Sequence, residues 1–182
     1  MNKKLFIIFV ALLAILIYLN LGELSFDNDI KSADCLISVK EMIVRGNSFS
    51  PYINPDTKIK ALFNYYDCHE IKRGDIVLFN YAGNKNPLLK VVKGVPGDKF
   101  ELREAEGGWN IVINNKIVKN FEGQPYLISG NRYKMLALYE KDYNGTIPKN
   151  AYLLLSNQVG GSIDSTRFGL VDKNGIIAKV EI

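Results

Sequence analysis

The chain has 182 residues, 47% of them hydrophobic, with 15 glycines and 6 prolines, which fits one domain with room for a small insertion. Its formal net charge of +4 comes from 23 basic and 19 acidic residues, and Lys3 and Lys4 supply two of the basic groups at the extreme N-terminus. The remainder is nearly neutral, which excludes the electrostatic footprint of a nucleic-acid binder.

Residues 5 to 19, LFIIFVALLAILIYL, form an unbroken apolar run that continues past Asn20 to Leu21. As a helix it reaches roughly 25 Å, workable for a hydrocarbon core of about 30 Å with local thinning. A cleaved signal peptide would end on a pair of small residues, and the stretch after Tyr18, NLGELSFDNDI, offers none at the right spacing. The expectation is an uncleaved anchor. Lys3 and Lys4 precede it and Glu23, Asp27 and Asp29 follow it, so the N-terminus is expected in the cytoplasm and the rest on the exported side of the plasma or inner membrane, as a single-pass protein. Residues 1–22 are then tip and anchor, and 23–35 a linker.

Cys35 and Cys68 fall on the exported side, where a disulfide persists; a staple and two buried thiols both fit. With His69 as the only histidine, no zinc set is complete, and no metal or other cofactor is expected.

From Leu36 onward the apolar residues come in short runs rich in β-branched and aromatic types: LISVKEMIV, KIKALFNYY, DIVLFNYA, LLKVV, KFELRE, WNIVINNKIV, YLLLS and GIIAKVEI. Breakers such as NPD, RGD, PGD and KNG separate them at roughly 8 to 12 residues, which predicts an all-β, mainly antiparallel domain. WNIVINNKIV predicts a hairpin turning on Asn114 and Asn115. Residues 36–100 and 150–182 are expected to form the main β-domain. Residues 101–149, more polar, are expected to form a β-rich insertion lobe with long connections and no helix.

Two stretches hold candidate chemistry. In VRGNSFSPYINPD, residues 44 to 56, Ser48 and Ser50 sit between Gly46, which permits unusual backbone angles, and the stiffening Pro51 and Pro55. A serine hydroxyl needs a base to act as a nucleophile, and a lone histidine in a charged loop is a poor candidate. A lysine serves if burial disfavours its ammonium form. In NPLLKVVKGVPGD, Lys90 has apolar neighbours Leu88 and Val92 along its own strand face, whereas Lys93 ends the run beside Gly94, so Lys90 is the better base.

Four segments, VRGNSFSPYI, KRGDIVLF, LLKVVKGVPGDKF and SIDSTRFGLV, resemble in order and spacing the signature boxes of the type I signal peptidases, membrane-anchored serine proteases with a Ser-Lys dyad. The resemblance implies a signal-peptidase-like β fold, Ser48 as nucleophile and Lys90 as general base. It places Gly46 and the Ser48 N–H at the oxyanion position, Ser162 as a partner orienting the amine, and Asp164 as a support that either pairs with Arg167 or leaves it on the surface. It implies preprotein substrates cut after small residues, contact with membrane lipid, and a link to secretion or conjugation machinery. The sequence departs from the family pattern at Phe49, Tyr52-Ile53, Val91, Thr166 and the segment LSNQVGGS. These departures leave room for a specialised peptidase of conjugation or pilin processing, or for an inactive membrane-anchored β-domain that binds exported proteins.

Overall fold

The computed structural model describes residues 35–82 and 84–182; the expected anchor, and all of the expected linker but Cys35, lie outside the described residues. Eleven strands carry the fold: β1 (Ser38–Ile43), β2 (Lys58–Phe63), β3 (Ile76–Phe79), β4 (Leu88–Gly94), β5 (Phe100–Ala105), β6 (Gly108–Ile113), β7 (Lys116–Ile117), β8 (Leu127–Ile128), β9 (Ala151–Leu155), β10 (Val171–Asp172) and β11 (Ile176–Glu181). Seven form one sheet in the order β1-β2-β11-β3-β4-β9-β10, and β5, β6, β7 and β8 form a second around β6. Every named pairing is antiparallel. The chain is therefore mainly antiparallel β, and each apolar run named above supplies a strand.

Burial separates edge from centre. The edge strand β1 is largely exposed, β2 alternates with Ile59 and Ala61 buried, and β3 is buried at all four positions. In β3, Ile76 and Leu78 pack with Phe49, Ile53 and Ile59 on one face, while Val77 and Phe79 pack with Tyr66, Val92 and Leu154 on the other. A strand covered on both faces reads as a continuous apolar run, and IVLF does so. In β9 the same alternation sends Leu153 and Leu155 toward Phe100, Ile111 and Tyr126 of the second sheet's core, and Tyr152 and Leu154 toward the other cluster. The hairpin on Asn114 and Asn115 forms as expected, with Ile113 opposite Lys116 and both asparagines at positive φ (48° and 63°).

Three α-helices, α1 (Tyr65–Cys68), α2 (Gly130–Asp142) and α3 (Ser165–Phe168), and a single 3-10 turn at Lys173–Gly175 complete the described residues. The 13-residue α2 occupies a stretch that the sequence reads as a loose connection. It has little apolar stripe to announce it, because Leu136 alone is fully buried. Tertiary contacts fix it instead: Tyr133 stacks on Trp109 at 4.0 Å, and Glu140 accepts a hydrogen bond from the Leu102 N–H at 3.0 Å.

Cys35 and Cys68 form a disulfide, with Cα atoms 6.0 Å apart and a sequence separation of 33. It ties the residues before β1 to the end of α1 and leaves no thiolate for a metal beside His69, which stacks on Tyr65. Closing a loop of this length is worth about 2–4 kcal/mol. Cys35→Ser with Cys68→Ser should lower the free energy of unfolding by that amount in urea titrations; an unchanged midpoint would show that the bridge contributes no stability.

Candidate active site

The stretch with the two serines joins β1 to β2, whose register ends with Ile43 opposite Lys58. The Val44 N–H donates to the Thr57 carbonyl at 3.0 Å and the Asp56 N–H to the Val44 carbonyl at 3.0 Å, closing the loop at its neck. Phe49 and Ile53 are buried and pack into the core of the large sheet, anchoring the loop from within. Ser48, directly before Phe49, is half-buried. Gly46 sits at φ +79°, and an added Cβ would meet nothing within 4 Å, so backbone conformation rather than crowding calls for glycine here. Among the described residues the Ser48 N–H has no hydrogen-bond acceptor, which leaves a donor free beside the hydroxyl.

A polar strap holds the outer side of this loop. The Asn157 N–H donates to the Ser48 carbonyl at 2.9 Å, and its side-chain amide reaches the Phe49 and Ser50 carbonyls at 3.4 Å each. Gln158 donates from Nε2 to the Ser50 carbonyl at 2.9 Å and to that of Asn47 at 3.3 Å. Glu122 in turn accepts from Asn157 Nδ2 at 2.9 Å. Sequence reasoning noted this segment only as a departure. Its one signal is a polar pair directly after the buried run YLLLS.

Lys90 lies on β4, a central strand between β3 and β9, and is 1% exposed. Its amine donates to the Leu89 carbonyl at 2.7 Å. Burial brings its pKa down from 10.5 to about 8, and the Asp164 carboxylate opposes that shift by favouring the ammonium. Lys93 lies half-buried at the strand's far end, donating to the Lys119 carbonyl and lying over the Phe121 ring. Ser48 and Lys90 line one groove of about 490 Å³, walled by Met42, Ile43, Val44, Ile59, Leu78, Leu88 and Leu89, with Glu41, Arg45 and Asn86 among its polar members. The walls come from β1 and from β4, four places away in the sheet order, so the sheet must curl to bring them together.

Behind the groove Asp164 is fully buried and caps the N-terminus of α3. Its Oδ1 accepts from the Thr166 N–H at 3.0 Å and hydroxyl at 2.6 Å, and its Oδ2 from the Ser156 N–H at 3.2 Å and hydroxyl at 3.1 Å. Arg167 is exposed, and no salt bridge joins it to Asp164 among the described residues; its place on the outer side of a short helix turns the guanidinium to water. Arg132 of α2 comes to this network instead, donating from Nε to the Thr166 hydroxyl at 2.9 Å. Ser162 is half-buried in the stretch before α3, with no side-chain hydrogen bond among the described residues. Gly169, which matches the last box, sits at φ +83° where an added Cβ would collide with the Tyr139 ring, so this glycine lets α3 close against α2.

The departures from the family pattern are accommodated. Phe49 is core rather than groove wall, Tyr52 stacks on Phe121 at 3.8 Å, and Thr166 is part of the Asp164 network.

The sequence model of the family described as "Signal peptidase, peptidase S26" matches residues 5–182. The chain belongs to that family, and it is a serine endopeptidase of the kind that removes signal peptides. It is 28% identical over 148 residues to signal peptidase IB of Staphylococcus aureus, covering 75% of this chain and 73% of the relative. It is also 28% identical over 142 residues to signal peptidase I of Bacillus caldolyticus, covering 76% and 75%. Among solved structures, a signal peptidase I from Enterococcus faecalis V583 aligns over 61% of this chain and 97% of that one, at 19% identity and a TM-score of 0.44.

The pKa of Lys90 makes a stability prediction. It is depressed in the fold, so between about pH 8 and 10.5 the unfolded chain binds more protons and stability rises with pH. Below about pH 8 the buried ammonium costs the fold about 3 kcal/mol, and the cost is gone above 10.5. Lys90→Met should therefore be more stable than the parent by about 1–3 kcal/mol at pH 7, with the difference shrinking toward pH 10 in urea unfolding. A constant difference across that range would contradict the burial of a titrating amine.

Asn157→Ala leaves two loop carbonyls, those of Phe49 and Ser50, with fewer donors and should cost about 1–3 kcal/mol of stability. It should also lower kcat more than it changes KM.

Proposed function

We propose that this signal peptidase cuts exported preproteins with Ser48 as nucleophile and Lys90 as general base. The observation that carries the reading is the groove shared by a half-buried serine hydroxyl and a buried lysine amine whose pKa is lowered to about 8. Neutral Lys90 takes the Ser48 proton as Oγ bonds to the scissile carbonyl carbon. The free Ser48 N–H stabilises the oxyanion. As the tetrahedral adduct collapses, the C–N bond breaks and the Lys90 ammonium returns the proton to the leaving amine. Water, deprotonated by Lys90, then releases the acyl group. Ser162 orients the amine once substrate fills the groove, since such contacts tighten only in the complex.

The substrate binds extended along the exposed edge of β1, whose outer backbone groups pair with no other strand among the described residues and accept another strand. Branched walls at Val44, Ile59 and Leu89 favour small side chains before the cut. The names of the relatives, signal peptidases I and IB, support general preproteins over a conjugation-specific set. Residues 5–21 anchor the chain, with the catalytic domain on the exported side, and that placement keeps site and membrane-bound substrate together. Among the described residues no helix is long and apolar enough to cross a membrane.

Ser48→Ala and Lys90→Ala should each reduce preprotein cleavage in detergent by at least about 1,000-fold, as loss of a dyad member does. Ser50→Ala and Lys93→Ala should retain most of it. Full activity in Lys90→Ala would overturn the assignment. For the parent, kcat/KM should rise with pH to a plateau through an apparent pKa near 8, because the neutral amine is the base. A profile flat from pH 6 to 9 would contradict Lys90 as that base.

A further inference from the structure

The Asp164 network has an outer end that the dyad does not explain. Arg132 comes from α2, outside the large sheet, yet three of its donors reach α3 and the stretch between β9 and α3. Its Nε donates to the Thr166 hydroxyl at 2.9 Å, and Nη1 and Nη2 both reach the Val159 carbonyl at 3.3 Å. The guanidinium also lies over Gly161, where an added Cβ would come within 3.4 Å of Nη1. One arginine thus clamps both sides of Ser162.

The hydrogen bonds have a direction. A guanidinium only donates, so the Thr166 hydroxyl accepts from Arg132 and must point its single proton elsewhere. The Asp164 carboxylate is there at 2.6 Å. Arg132 therefore fixes the hydroxyl as a donor to Asp164, and its positive charge lies one hydroxyl away from a buried negative one.

Asp164 is the charge that acts on Lys90, and it favours the ammonium form that a general base must shed. Glu41 and Arg45 share the groove with the amine, but they are exposed, of opposite sign, and screened by water. Arg167 bears on Arg132 from the solvent side.

We propose that Arg132 is a positioning residue for this peptidase: acting through the Thr166 hydroxyl, it holds and partly neutralises the Asp164 carboxylate, so that Asp164 supports the base without keeping it protonated. The proposal rests on Lys90 as base. A basic residue of the insertion thereby acts on a site to which it contributes no reacting atom.

The test is the pH profile of kcat/KM for preprotein cleavage by the full chain in detergent. Arg132→Gln leaves the Asp164 charge unbalanced and should shift the profile to higher pH, with cleavage about threefold to tenfold slower at pH 7 and the plateau above pH 9 retained. Arg132→Lys, which keeps the charge and loses the fork, should fall between Gln and the parent. Thr166→Val removes the relay while leaving Arg132, and should shift the profile the same way. Combined with Arg132→Gln it should add little. Thermal unfolding of each variant identifies one that fails to fold, and Thr166→Val then carries the test. A uniform loss at every pH, or a Lys variant no better than Gln, would mean that Arg132 only packs the loop and would overturn the proposal. Activity retained by Lys90→Ala would instead remove the dyad beneath it, so the two failures are distinguishable.

Discussion

The structure depends on the burial of one lysine in the middle of a sheet. An ammonium taken out of water costs several kcal/mol unless it is paired, and the protein meets that cost by lowering the affinity of Lys90 for its proton instead of giving it a contacting carboxylate. The placement of β4 between β3 and β9 removes the water, and the surrounding apolar side chains keep it out. Asp164 is near enough to moderate the effect, and its own oxygens are engaged by Ser156 and Thr166, which keeps it from collapsing onto the amine. Stability is given up at the position where the proposed mechanism needs a neutral amine.

The Ser48 side of the groove answers a different constraint. A hydroxyl on a long hairpin connection would wander unless the loop were fixed at several points, and here three kinds of contact fix it. The neck closes through Val44, Thr57 and Asp56, the interior is plugged by Phe49 and Ile53, and the outer carbonyls are taken by Asn157 and Gln158. Asn157 and Gln158 follow directly after Ser156, which holds Asp164. The strap that steadies the serine and the network behind the lysine are thus consecutive in the chain.

Much of this was legible in the sequence, for definable reasons. Short β-branched runs gave the strands, and Asn114-Asn115 gave its hairpin, because those signals are local. Lys90 stood out because a charged residue inside LLKVV conflicts with its neighbours. Helix α2 did not, since stacking on Trp109 and a hydrogen bond to Leu102 hold it, and neither leaves a periodic trace. Arg132 was invisible for the same reason: its meaning lies in a contact 34 residues away with a threonine that itself looked like a defect. Phe49 was noticed only as a departure from the family pattern, and a short loop motif carries no sign that its ring is buried in the core.

Strand β11 lies between β2 and β3 in the large sheet, although it comes late in the sequence. The hairpin with Ser48 and the hairpin with Lys90 therefore have no direct strand pairing; residues 176–181 are the bridge between them. During synthesis Ser48 and Lys90 both emerge long before that bridge. The groove can close only when it docks, so a partly emerged chain carries both groove residues without the groove, and the order of synthesis itself withholds the finished site from the nascent polypeptide.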